Sequence, residues 1–153
     1  LEMTKSLHAP HKWLIIGDIV DQGSIESEEH KKLADMIAAV KPEEIILVGR
    51  RTKAYTAPRL KELGFSPKTT LDPKKALEFI EKRSTGRETL IFKGSQYLEW
   101  IIENLLENPE DAKLLPRRDH AGRYGGHPAG AARRNEHLRL LHEIRHRYPR
   151  LSR

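Results

Sequence analysis

The feature that most constrains this chain is an alternation of short apolar segments, most of them ending at a glycine, with amphipathic helical segments. Three segments are typical of buried strands, 13–16, 44–48 and 89–92, and a fourth, 65–70, is predicted as a short edge strand. Between the first two strands, residues 24–40 carry apolar side chains at the spacing i, i+3, i+4, i+7, which predicts a helix.

The other helices are predicted from their start and stop signals. Residues 52–63 are expected to be helical, with Pro58 either breaking the helix or delaying its start. Asp72 is followed by a proline, which is typical of a helix N-terminus. The apolar residues spaced along 98–105 predict the last helix. Strands and helices that alternate in this way form a parallel open sheet covered on both faces. We therefore predict an α/β, Rossmann-like fold with an open, mainly parallel sheet flanked by helices.

The formal charge of +6 comes from the end of the chain. Residues 1–116 have a net charge of −1, whereas residues 117–153 contain ten Arg, no Lys and three acidic residues, a net charge of +7. The first part is predicted to be the α/β domain, incomplete at its N-terminus because residues 1–7 resemble the last turn of a helix. The second is an unassigned Arg-rich tail, for which disorder or an out-of-frame reading is favoured over polyanion binding.

Several classes of protein are excluded by what the sequence lacks. Without cysteine there is no disulfide, no thiolate zinc site and no cysteine nucleophile. No apolar run approaches the roughly 18 residues of a membrane-spanning helix, and no signal peptide is visible, so we expect a cytoplasmic protein with no membrane partner. The phosphate-binding strings GxxxxGK[ST] and GxGxxG are absent, as is the GxSxG elbow of serine hydrolases.

The string GDIVDQG at 17–23 matches the GDxVDxG motif of metallophosphoesterases. A two-metal site needs several further carboxylate and imidazole ligands. Upstream of Asp18 the sequence has His8 and His11 but no aspartate for a DxH motif, and no Asn-His pair follows. No metal site is predicted, and this class is kept as the less favoured alternative.

The turn formed by Lys93, Gly94 and Ser95 is a candidate anion site. Glycine lets the backbone approach a ligand closely, and the N–H groups of a helix start beside a Lys ammonium attract a carboxylate or a phosphate. The simpler interpretation is that Ser95 only caps the next helix and that Lys93 is a solvated charge. His30, which follows three glutamates in the first helix, is expected to be a solvated surface side chain, with a functional role as the alternative.

The order and spacing of these segments resemble the C-terminal domain of Mur ligases over about residues 1–118. Four pieces carry the resemblance: 14–18 with Gly23, Glu28 with His30, 46–49, and 92–95 with Leu98-Glu99. Three departures are visible. The family's DDxYNANP segment would precede Leu1, Gln96 stands where the commoner pattern has Arg, and the sequence after Asp119 matches nothing in the family.

The resemblance implies an ATP-dependent amide ligase of peptidoglycan precursor synthesis. In that family ATP activates the carboxylate of a UDP-MurNAc-peptide as an acyl phosphate, with Mg²⁺ stabilising the charge, and the amine of an amino acid or of D-Ala-D-Ala attacks it. ATP and Mg²⁺ would be bound mainly by the N-terminal and central domains, which would be partners of this one. The isolated chain is therefore not expected to be active.

The resemblance also implies which residues contact substrate. It assigns substrate binding to six residues and assigns neither a catalytic residue nor a metal ligand: Gly17, Asp18, His30, Lys93, Gly94 and Ser95. The alternative of a different class is a small α/β binding module whose Arg-rich tail binds a polyanion. Nucleic acid is not the partner we expect, because the excess positive charge lies outside the domain that carries the motifs.

Overall fold

The apolar run at residues 13–16 forms one of the two interior strands of a parallel sheet. The computed structural model describes residues 9–94 and 97–115. Its strands and α-helices, in chain order, are β1 (Lys12–Gly17), α1 (Glu26–Val40), β2 (Glu44–Val48), α2 (Ala57–Glu62), β3 (Lys68–Thr70), α3 (Pro73–Arg83), β4 (Thr89–Lys93) and α4 (Tyr97–Leu105). The 3-10 segments Gly23–Ile25 and Pro109–Leu114 precede α1 and follow α4, and a π-helical segment, Thr52–Thr56, leads into α2.

The strands are all parallel and lie in the order β3-β2-β1-β4. Ile15 of β1 is paired with Ile46 of β2 on one side and with Phe92 of β4 on the other. Because β1 has neighbours on both sides and helices on both faces, Leu14, Ile15 and Ile16 are buried to 1% exposure or less. The predicted α/β fold is confirmed.

Alternate side chains of β1, β2 and β4 enter two separate cores. On one face, Leu14 and Ile16 pack with α1 and α2; on the other, Trp13 and Ile15 pack with α3 and α4. The helices that follow β1 and β2 therefore cover one face, and those that follow β3 and β4 cover the other. The chain runs from β1 outward to β3 and then returns to place β4 on the opposite side of β1. This reversal makes the carboxyl ends of β1 and β4 the switch point, where open α/β sheets bind ligands.

The predicted start of α3 is confirmed, since the side chain of Asp72 accepts a hydrogen bond from the backbone N–H of Lys74 at 2.9 Å. Of the two alternatives predicted for Pro58, the break was wrong, whereas the regular α-helix does start late, at Ala57. The chain is helical from residue 50 to 62, and Pro58 lies in the first turn of α2, directly after the π-helical segment. A proline ring clashes with the carbonyl four residues earlier in a regular α-helix, and the wider π turn gives that carbonyl another position.

The third strand is shorter than the predicted 65–70, because the first of those residues complete the end of α2. The backbone N–H groups of Gly64 and Phe65 bond to the carbonyls of Lys61 and Leu60, and Phe65 packs against the core below α1. A proline at position 67 donates no ladder hydrogen bond, so pairing starts at Lys68. The predictions for residues 1–7, for the boundary after Pro116 and for the tail 117–153 lie outside the described residues.

None of the described helices combines the length and the apolar character that crossing a membrane requires.

Neighbouring residues of α1 provide a direct test of this packing. Ile37 is fully buried against β1 and β2, whereas Met36 is 39% exposed. Replacing Ile37 by Ala removes buried methyl groups and leaves a cavity, so we expect a loss of about 2–5 kcal/mol in the free energy of unfolding. Met36→Ala is expected to cost about 0.5 kcal/mol or less. Urea denaturation of the two variants measures the difference, and equal losses would contradict the assigned faces of α1.

Candidate functional site

The carboxyl ends of β1 and β4 meet at two glycines, Gly17 and Gly94, whose backbones are in close contact. Gly94 has a φ of 136°, and a Cβ added to it would lie 2.6 Å from both the Cα and the N of Gly17. Such distances are far inside van der Waals contact, so only glycine fits at position 94. The structure thus brings together Gly17 and Gly94, two residues that the sequence predicts as substrate contacts, at the switch point of the sheet.

Lys93 stands at the rim of this junction. In β4, Ile91 enters the core under α1, and because side chains alternate along a strand, Lys93 lies on the same face. It is paired in register with Ile16, the residue before Gly17, and it is exposed. Lys93 is therefore next to the end of β1 in the sheet, and its side chain is accessible to an anionic group. Ser95, the third residue of the predicted turn, lies outside the described residues.

Asp18 uses its carboxylate inside the protein. Oδ1 accepts hydrogen bonds from the backbone N–H of Thr52 at 2.8 Å and from the Thr52 hydroxyl at 3.1 Å, and Oδ2 accepts from the N–H of Arg51 at 3.2 Å. The side chain is only 13% exposed. A carboxylate at this position satisfies the free N–H groups of the helix that follows β2 and complements its positive end. These contacts fix the loop after β1, and a contact of Asp18 with substrate stays a prediction.

A second glycine makes room for this carboxylate. Gly49 has a φ of 145°, and a Cβ on it would lie 2.2 Å from Oδ1 of Asp18. The glycine turns after β1, β2 and β4 therefore meet at one edge of the sheet. Two of them, Gly49 and Gly94, exclude side chains because another part of that edge occupies the space.

Arg51 links this edge to the start of α1. Its Nε donates to Oε2 of Glu26 at 2.5 Å, and its Nη1 lies 3.9 Å from Oδ2 of Asp18. The hydrogen bond that Arg51 donates to Glu26, together with the negative charges of Glu26, Asp18 and Asp21, raises the pKa of the Arg51 guanidinium above its ordinary value. Arg51 is not among the site residues predicted from the sequence. Its position two residues after Gly49, the glycine that follows β2, could have indicated that it lies at this edge of the sheet.

His30 is fully buried, so the expectation of a solvated surface side chain was wrong. Its Nδ1 lies 2.9 Å from Oγ1 of Thr56, and its Nε2 lies 3.3 Å from the carbonyl oxygen of Ile19. The start of α1 packs against the π-helical segment, where the Tyr55 ring lies 6.1 Å from the imidazole. This packing closes His30 off from a ligand in the described conformation. Its contacts instead reach the loop that carries Asp18.

The two alternative functions stay predictions. Within residues 9–94 and 97–115, no three His, Cys, Asp or Glu side chains are grouped so that they could hold a metal ion. The carboxylate of Asp18, the residue that suggested a metallophosphoesterase, faces N–H groups. The arginines of the polyanion hypothesis belong to 117–153, outside the described residues.

Comparison of the chain with protein-family models and with curated proteins found no match.

The energetic effect of the close contact between Gly94 and Gly17 can be tested by comparison with a second glycine that has a positive φ but no close neighbours. Gly64 also has a positive φ, 86°, and no described atom lies within 4 Å of a Cβ placed on it. Gly64→Ala should cost about 1–2 kcal/mol of unfolding free energy, from backbone strain alone. Gly94→Ala should cost about 1–3 kcal/mol more, because it also forces the two backbones apart. Thermal or urea unfolding gives both values, and equal costs would argue against the junction.

Proposed function

We propose that this chain is the C-terminal domain of an ATP-dependent Mur-type amide ligase of peptidoglycan precursor synthesis. Among these ligases it most resembles the enzyme that adds D-alanyl-D-alanine to UDP-N-acetylmuramoyl-tripeptide. Two features support the proposal: the order of the motifs along the sequence, and an open parallel sheet whose switch point carries the residues that those motifs contribute. The proposed reaction consumes ATP and a nucleotide-linked precursor, so we place the protein in the cytoplasm.

The observation that carries the proposal is the junction of Gly17 and Gly94 with Lys93 at its rim. The amine substrate of such a ligase, an amino acid or a dipeptide, carries a free carboxylate in addition to the amine that reacts. A bare backbone edge allows that substrate to approach closely, and an exposed ammonium provides the counter-charge for the carboxylate. Asp18 is already hydrogen-bonded within the protein, so the positive charge of Lys93 is left to act on the ligand.

The task of this domain in the proposed reaction is to orient the amine. ATP and Mg²⁺, bound mainly by the other domains, supply the activation of the precursor carboxylate. Once the free carboxylate of the amine substrate is held at Lys93, its nucleophilic nitrogen is left free to react with the activated group. Fixing two reactants in this way converts a bimolecular encounter into an almost unimolecular one, and domain closure assembles the pair.

The first test is a titration of the 153-residue chain with the dipeptide D-Ala-D-Ala, in which changes in the backbone amide NMR shifts measure binding. We expect the largest shifts at Gly17 and Gly94. Lys93→Ala should weaken binding about fivefold, the equivalent of about 1 kcal/mol for an exposed ion pair. Lys61→Ala is the matched control, because this exposed lysine lies in the last turn of α2, away from the switch point. An unchanged dissociation constant in Lys93→Ala would remove Lys93 from the site.

The second test is the coding sequence upstream of Leu1. The proposal predicts an open frame that encodes an Asp-Asp-x-Tyr-Asn-type segment directly before Leu1, and a GKT phosphate-binding loop farther back. Sequencing the genomic region decides this point. A stop codon shortly before Met3, with translation starting at that methionine, would contradict the ligase proposal.

A further inference from the structure

Two buried threonines of the π-helical segment flank the loop between β1 and α1. Thr52 and Thr56 lie four residues apart and both are 0% exposed. Thr52 binds the carboxylate of Asp18, and Thr56 binds the ring of His30, which in turn reaches the carbonyl of Ile19. One helical segment therefore fixes two successive residues of the loop: Thr52 binds Asp18 directly, and Thr56 acts on Ile19 through His30. Single π turns inserted in helices are frequent at functional sites.

The hydrogen bonds assign the proton on His30. The Ile19 carbonyl oxygen can only accept, so Nε2 must carry a proton. The Thr56 hydroxyl has one proton and two acceptors in reach, Nδ1 of His30 at 2.9 Å and the His30 carbonyl oxygen at 3.3 Å. Donation to the carbonyl oxygen would require protons on both ring nitrogens, a cation at a fully buried position. We therefore assign the neutral ring, with Thr56 donating to Nδ1 and Nε2 donating to Ile19.

The other end of the loop has few constraints of this kind. Val20 is 46% exposed, and Asp21 has a φ of 63°, a left-handed conformation that is uncommon for a side chain other than glycine. The side chain of Gln22 donates to the Val20 carbonyl oxygen at 3.1 Å, within the loop itself. The bonds that tie the loop to the rest of the fold are thus concentrated at Asp18 and Ile19.

We propose that His30 is a positioning residue for substrate binding: together with Thr52 and Thr56 it holds the loop 18–22 beside Lys93, in the conformation that receives the ligand. The role of His30 in ligand binding rests on the proposed function, whereas its role in ordering the loop does not. His30 acts through Ile19 and does not touch the substrate. An apolar side chain of similar size would fill the same volume but would leave both the Ile19 carbonyl and the Thr56 hydroxyl without this partner.

Two replacements of His30 separate these hydrogen bonds. The amide nitrogen of Gln can occupy the position of Nε2, and the amide of Asn can occupy that of Nδ1. His30→Gln should therefore keep the bond to Ile19, and His30→Asn should keep only the bond to Thr56. Backbone ¹⁵N order parameters for residues 19–22 measure the effect. We expect about 0.85 in the wild type and in His30→Gln, and below about 0.6 in His30→Asn.

The pair Thr56→Ser and Thr56→Val repeats the test without changing the ring, and it applies even if His30→Asn fails to fold. Serine keeps the hydroxyl that orients the imidazole, and valine removes it. We expect loop order to be retained in the serine variant and reduced in the valine variant. In the wild type, the ring ¹⁵N shifts of His30 should be those of the Nε2–H tautomer. Equal order parameters across each pair, or an Nδ1–H ring, would overturn the role of His30.

Binding of D-Ala-D-Ala to the same variants links the loop to the ligand. If the loop receives the ligand, His30→Asn and Thr56→Val should weaken binding about fivefold or more, while His30→Gln and Thr56→Ser stay within about twofold of the wild type. Loss of loop order without any change in binding would overturn the positioning role. If the wild-type chain does not bind the dipeptide while loop order still follows the hydrogen bonds, the proposed function fails and the ordering role of His30 stands.

Discussion

The contact between the carboxylate of Asp18 and the first N–H groups after β2 is the interaction on which the rest of the site depends. It joins the carboxyl end of β1 to the helix that begins two residues after the end of β2. Because Asp18 fills the space above Gly49, position 49 cannot carry a side chain. The same contact includes Thr52, the first residue of the π-helical segment, whose last residue, Thr56, binds His30. A part-buried carboxylate that accepts several hydrogen bonds is well satisfied.

This arrangement divides the edge of the sheet into two sets of residues. Asp18, Thr52, Thr56 and His30 are turned inward, and their polar groups are used within the protein. Lys93 is exposed and lies next to Gly94, a position at which only glycine fits. The inward set gives the loop after β1 its shape, and the outward set remains to bind a ligand. A rigid edge with an exposed lysine suits a domain that presents a substrate to chemistry performed by another domain.

Much of the fold was predictable from local pattern. The strands at 13–16 and 44–48, the helix from Glu26 to Val40 and the Asp72 cap were all visible in the sequence, because apolar periodicity and capping chemistry act between residues that are near each other in the chain. Pro58 misled the prediction, since a proline is a helix-breaking signal only for a regular α-helix, and the preceding π turn is not encoded by any simple pattern. His30 misled it as well. Its local neighbours are glutamates, but its partners are Thr56, 26 residues away, and the Ile19 carbonyl.

By itself the sequence determined the α/β class, the parallel strands, the glycine turns at their carboxyl ends and the restriction of the net positive charge to the last 37 residues. These properties depend on composition and on short-range spacing. Only the tertiary structure decided that β4 lies beside β1, that Gly94 meets Gly17, and that Asp18 faces N–H groups. Such contacts join residues 30 to 80 positions apart along the chain. They follow from how the two layers of helices pack on the sheet, and no local pattern specifies that packing.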